Sequence, residues 1–264
     1  TPDMGRITAI ALSTDNTQIA IATDTGIMQL WDINTKQPLT EAFSGHIATI
    51  FSLAFSPDSQ YLASAGEDPT ILIWDVEALI NGDDLAPQEL IGHDDGLFAV
   101  AWHPSEPILA SASRDNSVRL WNTETTEQIA SLEKHTNAVE ALAFSPSGDK
   151  LVSAGRDNTI IVWDVASALG EGEPLFEFLG GHGDWVLSLA FSPDGKTLVS
   201  GGRDRAILLW DMESLQVLGE PLIHHNSWVW SVDVSSDGQS VVSGGRDNRM
   251  VIWDINIDHW KSLA

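Results

Sequence analysis

The feature that most constrains this chain is a spacing. A histidine precedes a tryptophan by 28 residues five times over: His46 and Trp74, His93 and Trp121, His135 and Trp163, His182 and Trp210, His225 and Trp253. Each of these tryptophans is followed by Asp, or by Asn122 after Trp121, and a sixth pair, Trp31-Asp32, stands upstream. Successive tryptophans are 43, 47, 42, 47 and 43 residues apart, and all the variation falls between a tryptophan and the next histidine, a gap of 15, 19, 14, 19 and 15 residues. A rigid segment alternating with a tolerant one marks a repeat array, whose members are supersecondary units that bury their apolar faces on their neighbours. Insertions collect where backbone runs over the surface. The two long gaps contain Asn81-Gly82-Asp83-Asp84 and Gly170-Glu171-Gly172-Glu173, which read as polar turn material.

Counting from each histidine as zero, offsets 4 to 9 read as a strand, for example Val186-Leu187-Ser188-Leu189-Ala190-Phe191. Ser192-Pro193-Asp194-Gly195 supplies a hairpin turn. A second strand follows at Thr197-Leu198-Val199-Ser200 and a third at Ala206-Ile207-Leu208-Leu209-Trp210. With one strand from the connection, each repeat makes a four-stranded antiparallel sheet. Offsets 6 and 8 of the first strand carry small residues, such as Ala99 and Ala101, and only Asp233 breaks that row. Offset 9 carries large ones: Leu12, Phe55, Trp102, Phe144, Phe191 and Val234. Small against large at facing positions lets neighbouring sheets interdigitate, and sheets packed face to face about an axis make a propeller.

The polar positions repeat as well. Offset 18 is Ser64, Ser111, Ser153, Ser200 and Ser243, and offset 22 is Asp68, Asp115, Asp157, Asp204 and Asp247. Ser, His and Asp together suggest acyl transfer, but an enzyme needs one activated nucleophile and this constellation occurs five times. The first repeat is degenerate: the histidine, serine and aspartate positions hold Asp3, Ile21 and Thr25, which predicts a blade held by packing alone.

Gly-His near the start of a repeat, Ser-Pro-Asp-Gly in its first turn, Asp in its second and Trp-Asp at its end resemble the WD-repeat β-propeller family over essentially the whole chain. The resemblance implies an all-β fold of four-stranded antiparallel blades in six repeats. Their approximate bounds are 1–32, 33–75, 76–122, 123–164, 165–211 and 212–254, with 255–264 as a closing segment of one propeller domain. Closure with six blades, membership of a seven-bladed ring and the tail of a longer array all stay open. The resemblance also implies that each His, Ser, Asp and Trp set is a structural network, Asp to His, His to Ser and Ser to the indole N–H. Each buried donor then finds an acceptor.

Composition narrows the function. Asp and Glu number 38 against 13 Lys and Arg, a net charge of −25, which disfavours phosphate backbones and anionic membrane surfaces. Without cysteine there is no disulfide, thiolate metal site or cysteine nucleophile, and a reducing cytosol is the simplest home. The other histidines, His103, His224 and His259, show no ligand spacing, so neither a metal nor a cofactor is expected. Gly195-Lys196-Thr197 looks like the end of a phosphate loop, but Ala190 stands where that loop needs glycine.

One column of basic residues stands out. Offset 21, beside the tetrad aspartate, is Asp24, Glu67, Arg114, Arg156, Arg203 and Arg246, so four of 13 basic residues share one equivalent turn. The repeat geometry predicts an arc on one rim. Offsets 3 and 5 place Phe98, Trp185, Trp228 and Trp230 near it, although an irregularity expected in the first strand leaves offset 5 hard to orient. Trp and Arg dominate binding hot spots, and in the family this rim is the common partner surface. The expectation is a non-enzymatic scaffold or sensor that binds a protein or peptide, acidic or partly apolar, at this rim. The alternative is a purely structural assembly module. Residues 257–264 resemble the segment that ends WD-repeat arrays in large bacterial signalling proteins, and the chain opens on Thr1 rather than Met; both suggest part of a longer multidomain chain.

Overall fold

A computed structural model describes residues 5–170 and 175–255. The chain divides into two compact units, Thr1–Ser131 and Leu132–Ala264. Each holds three antiparallel blades of β-propeller type, so the fold is all-β with six blades in chain order. The blades bear out the expected architecture.

In the first unit, blade 1 is built from Ile7–Leu12, Gln18–Thr23 and Ile27–Asp32. Its outer edge comes in two short pieces, Gln37–Pro38 and Phe43–Ser44, both paired with the third strand. Blade 2 runs Ile50–Phe55, Tyr61–Gly66, Thr70–Asp75 and Gln88–Ile91, and blade 3 runs Leu97–Trp102, Ile108–Ser113, Val118–Asn122 and Gln128–Leu132. In the second unit, blade 4 is Val139–Phe144, Lys150–Gly155, Ile160–Asp164 and Phe176–Leu179. Blade 5 is Val186–Phe191, Thr197–Gly202 and Ala206–Asp211, edged by the pieces Gln216–Val217 and Leu222–Ile223. Blade 6 shows Val229–Val234, Ser240–Gly245 and Met250–Asp254, and of the segment expected to close it all but Ile255 lies outside the described residues.

The small-residue row works as its chemistry suggests. Ser52 of blade 2 accepts from the Val100 N–H of blade 3 at 3.2 Å, and Ser188 of blade 5 accepts from the Val232 N–H of blade 6 at 3.0 Å. A side chain longer than serine would hold these inner strands apart. Between blades 4 and 5 the core is Val152, Val162, Val186, Leu198 and Leu208, and between blades 2 and 3 it is Ala63, Ile71, Leu97 and Leu109. Asp233, the exception in the row, is exposed, and its carboxylate accepts from the Val234 N–H at 2.8 Å.

Every inner strand carries a bulge between offsets 4 and 6, as at Ile50/Ser52, Leu97/Ala99, Val186/Ser188 and Val229/Ser231. The extra residue at offset 5 is set free of the strict in-and-out alternation. Phe51, Phe98, Glu140 and Leu187 are half-buried there, while Trp230 is exposed.

The long connections add an element that the turn reading did not include, while residues 171–173 of the second expected turn lie outside the described residues. Each opens with a short helix, Val76–Asn81 or Val165–Ala168, capped by the aspartate of its Trp-Asp pair: Asp75 accepts from the Ala78 N–H and Asp164 from the Ser167 N–H. The Val-Glu-Ala-Leu-Ile run is helix-competent once its first turn is capped, and Gly82, at φ 75°, ends it in the left-handed region.

Candidate functional site

An indole and an imidazole meet at the serine of each of blades 2 to 6. In blade 5 the Trp210 indole N–H donates to Ser200 Oγ at 2.8 Å, Ser200 Oγ lies 2.7 Å from His182 Nε2, and His182 Nδ1 lies 2.9 Å from Asp204. The corresponding His Nδ1 to Asp distances are 2.9 Å at His46, 2.7 Å at His93, 2.8 Å at His135 and 3.0 Å at His225. Ser64, Ser111, Ser153 and Ser243 each take the indole N–H of Trp74, Trp121, Trp163 and Trp253. With Nδ1 donating to the carboxylate and the indole donating to Oγ, the chain of bonds closes when the serine hydroxyl donates to Nε2.

That is the bonding pattern of a catalytic triad, but here the serine is buried. Ser200 is 0% exposed and its oxygen already holds the indole proton, so no substrate carbonyl can approach it. The carboxylates are held as anions. Burial alone would raise the Asp157 carboxyl, yet the His135 ring, the Thr159 hydroxyl and the Thr136 N–H together pull it down to about 2. Hydrogen bonding from the Asn226 N–H and from His225 holds Asp247 at about 2 as well. The space around each set is tight. A methyl group added at Gly202 would meet Trp185 O at 2.8 Å, His182 Nδ1 at 2.9 Å and Asp204 Oδ1 at 3.0 Å.

Blade 1 departs from the expectation of packing alone. Its Trp31 indole donates to Gln29 Oε1 at 3.1 Å, and Gln29 Nε2 donates to Thr40 O at 3.0 Å. An indole N–H half out of water still needs an acceptor. The signal in the sequence is the glutamine two residues before Trp31, where the other repeats carry Leu72, Arg119, Ile161, Leu208 and Val251.

The arginine column resolves differently in the two units. In the second unit the guanidinium of Arg156 lies 4.5 Å from the centre of the Trp185 ring, Arg203 lies 4.4 Å from Trp185 and 4.4 Å from Trp228, and Arg246 lies 4.4 Å from Trp228. Five side chains thus form a ladder of alternating cations and indoles across blades 4, 5 and 6. The bulge residue Trp230 adds an edge-to-face contact to Trp228 at 5.2 Å and is 50% exposed. In the first unit Arg114 covers Phe98 at 5.2 Å, and Phe98 packs on Phe51 at 5.5 Å. Glu67 occupies the equivalent turn of blade 2 and is exposed.

The acids that orient these arginines were not among the expected site residues. Asp95 lies 3.7 Å from Arg114 and Asp184 lies 3.7 Å from Arg203, both at offset 2, while the bulge residue Glu140 accepts from Arg156 Nε. The two aspartates fall in the two blades that pair Asp at offset 2 with Arg at offset 21, a column match visible in the sequence. Asp95, in the turn that follows His93, therefore serves as an anchor for Arg114. Among the described residues no three His, Asp or Glu side chains gather as a metal-ion site.

Comparison with known proteins agrees with the blades. The family model "WD domain, G-beta repeat" matches residues 36–75, 172–211 and 215–254, and the model "IFT140 first beta-propeller" matches residues 79–175. A CCR4-associated factor 4 homolog of Candida glabrata is 37% identical over 79 residues, 28% of this chain and 14% of that protein. Autophagy-related protein 18 of Saccharomyces cerevisiae is 43% identical over 72 residues, 26% of this chain and 14% of that protein. Small ribosomal subunit protein RACK1y of Oryza sativa subsp. japonica is 36% identical over 84 residues, 32% of this chain and 24% of that protein. The matched stretches are thus well under two thirds of each relative, and all three relatives are eukaryotic.

Proposed function

Since the chain is an array of WD40 repeats folded as β-propeller blades, we propose that it is a non-enzymatic interaction scaffold that takes a protein or peptide partner on the turns carrying the arginine column. Propellers of this kind generally mediate protein–protein contacts and are typically without enzymatic activity. The observation that carries the reading is the ladder Arg156, Trp185, Arg203, Trp228, Arg246. Each guanidinium lies over an indole face, which limits the planes its N–H edge can take up. An edge so limited suits a carboxylate, because two parallel N–H bonds form with little further loss of side-chain entropy. Trp228 and Trp230 add apolar area beside it. An acidic segment with a neighbouring apolar side chain matches both. A setting in a larger multidomain signalling protein in the cytoplasm belongs to the same proposal; the segment that suggested it, residues 257–264, lies outside the described residues.

One observation favours a purely structural role instead: Arg156 and Arg203 already meet Glu140 and Asp184. Affinity capture with the wild-type chain and with an Arg156→Ala, Arg203→Ala, Trp228→Ala variant separates the readings. Loss of the captured partner with an intact fold, monitored by circular dichroism, supports the rim. Unchanged capture by the variant overturns it.

A further inference from the structure

Repeats make departures legible, and two of the sharpest lie together at the other edge of the sheet, where the first and second strands of a blade turn. At offset 15 the other repeats carry Gln18, Ile108, Lys150, Thr197 and Ser240, whereas blade 2 carries Tyr61, the one tyrosine of the chain. At offset 9 only blade 3 carries an indole, Trp102. The turn after it is also unlike the rest: His103-Pro104-Ser105-Glu106-Pro107 replaces the serine-led turns, and buried His103 accepts from the Ser105 and Glu106 N–H groups through Nδ1.

Tyr61 and Trp102 line one groove between blades 2 and 3, with a volume of about 540 Å³. That lies within the ~300–1,000 Å³ typical of ligand clefts. Trp102 is anchored by its indole N–H to Ala54 O of blade 2 at 2.9 Å, so its ring is a fixed wall. Ile73 and the prolines 104 and 107 make the groove apolar at its base, and Asp58, Glu106 and Glu124 line it with three carboxylates and no Lys or Arg. Asp58 is held in place by the Ser56 hydroxyl at 2.6 Å and the Gln60 N–H at 3.0 Å, which also keep its carboxyl below the ordinary range.

We propose that this groove takes the basic side chain, lysine or arginine, of an extended segment of a protein partner. The apolar base accepts the methylene stem, the indole of Trp102 offers its face to the cation, and the carboxylates neutralise the charge at the mouth. The chain's net charge of −25 draws such a segment in. The corresponding groove between blades 4 and 5 serves as an internal control. It is about 400 Å³ and has no aromatic wall to hold a cation, and among its carboxylates stand Lys150, already paired with Asp149 at 2.9 Å, and Lys196.

The test uses the full chain and three tripeptides, acetyl-Gly-X-Gly-amide with X as lysine, arginine or norleucine. Indole N–H resonances are followed by NMR, with Trp102 identified through Trp102→Phe. The expected result is a saturable shift of the Trp102 resonance with the lysine or arginine peptide and none with norleucine. Glu106→Gln together with Glu124→Gln, both at exposed positions, should weaken binding about tenfold, equivalent to about 1.4 kcal/mol, with the other indole resonances unmoved. No shift of Trp102, an equal shift with norleucine, or unchanged affinity in the double variant would each overturn the proposal.

Discussion

The two units share one fold and differ at equivalent turns. Blades 2 and 3 and blades 4 to 6 bind their serines, histidines and aspartates in the same way, to within a few tenths of an ångström. At offset 21, one residue from that shared network, they diverge. The second unit has three arginines interleaved with two tryptophans, and the first has Asp24, Glu67 and a single Arg114 on a phenylalanine. The groove edge shows the reverse asymmetry, with aromatics in the first unit and lysines in the second. A repeat fold thus separates its tasks by column: the interior columns hold the blade, and the columns beside them carry what distinguishes one blade from another.

The comparison is open to attack from both sides. The hardest blow falls on the shared network. Asp115→Ala in the first unit and Asp157→Ala in the second each leave a buried imidazole N–H without its acceptor and should cost about 2–3 kcal/mol in denaturant unfolding. A neutral result in one unit would show that the networks are not equivalent.

Acid probes the same tie. Asp157 is held at about 2, below its ordinary value, so its contribution is complete above that ordinary value and is lost as pH falls through about 2. It is worth about 2 kcal/mol at neutral pH, and Asp157→Asn should flatten the stability profile below pH ~4. A profile identical to wild type would rule the carboxylate out as the source.

The ladder predicts a smaller and unequal effect. Arg203→Ala removes two cation–π contacts and Arg114→Ala removes one, so the first should cost about 1–2 kcal/mol and the second about half of that. Equal thermal shifts would mean that the indoles gain nothing from being shared. The smallest change runs the other way. Arg205 sits at φ 74°, where the equivalent residues are Asn116, Asn158 and Asn248, and Arg205→Asn should stabilise the chain by about 1 kcal/mol. A neutral or lower melting temperature would place the constraint in the Arg205 side chain.

The legible part of the sequence was whatever repeated. Val186 to Phe191, the turn at Ser192 to Gly195 and the Asp204 column were visible because four other repeats gave the same offset. The helices after Asp75 and Asp164 were not visible, because they occur in two connections only and their polar, glycine-bearing ends read as turns. The role of Gln29 was hidden for the opposite reason: it does the work of a serine from another strand position. The ladder was half legible. Its residues could be named, but whether a guanidinium reaches an indole in the next blade depends on how closely the strands approach, and that distance is not written in any one repeat. Tyr61 and Trp102 line one groove for the same reason, from positions 41 residues apart.

The capped third strand has a further consequence. Asp32, Asp75, Asn122, Asp164 and Asp211 each accept backbone N–H bonds two or three residues on, in connections that differ in length and form. The third strand is therefore capped before the connection begins, and the connection can change length ahead of the outer strand that it carries. Each such site is a splice point, where a foreign loop, tag or whole domain can be carried on the edge of a blade without the sheet behind it registering the load.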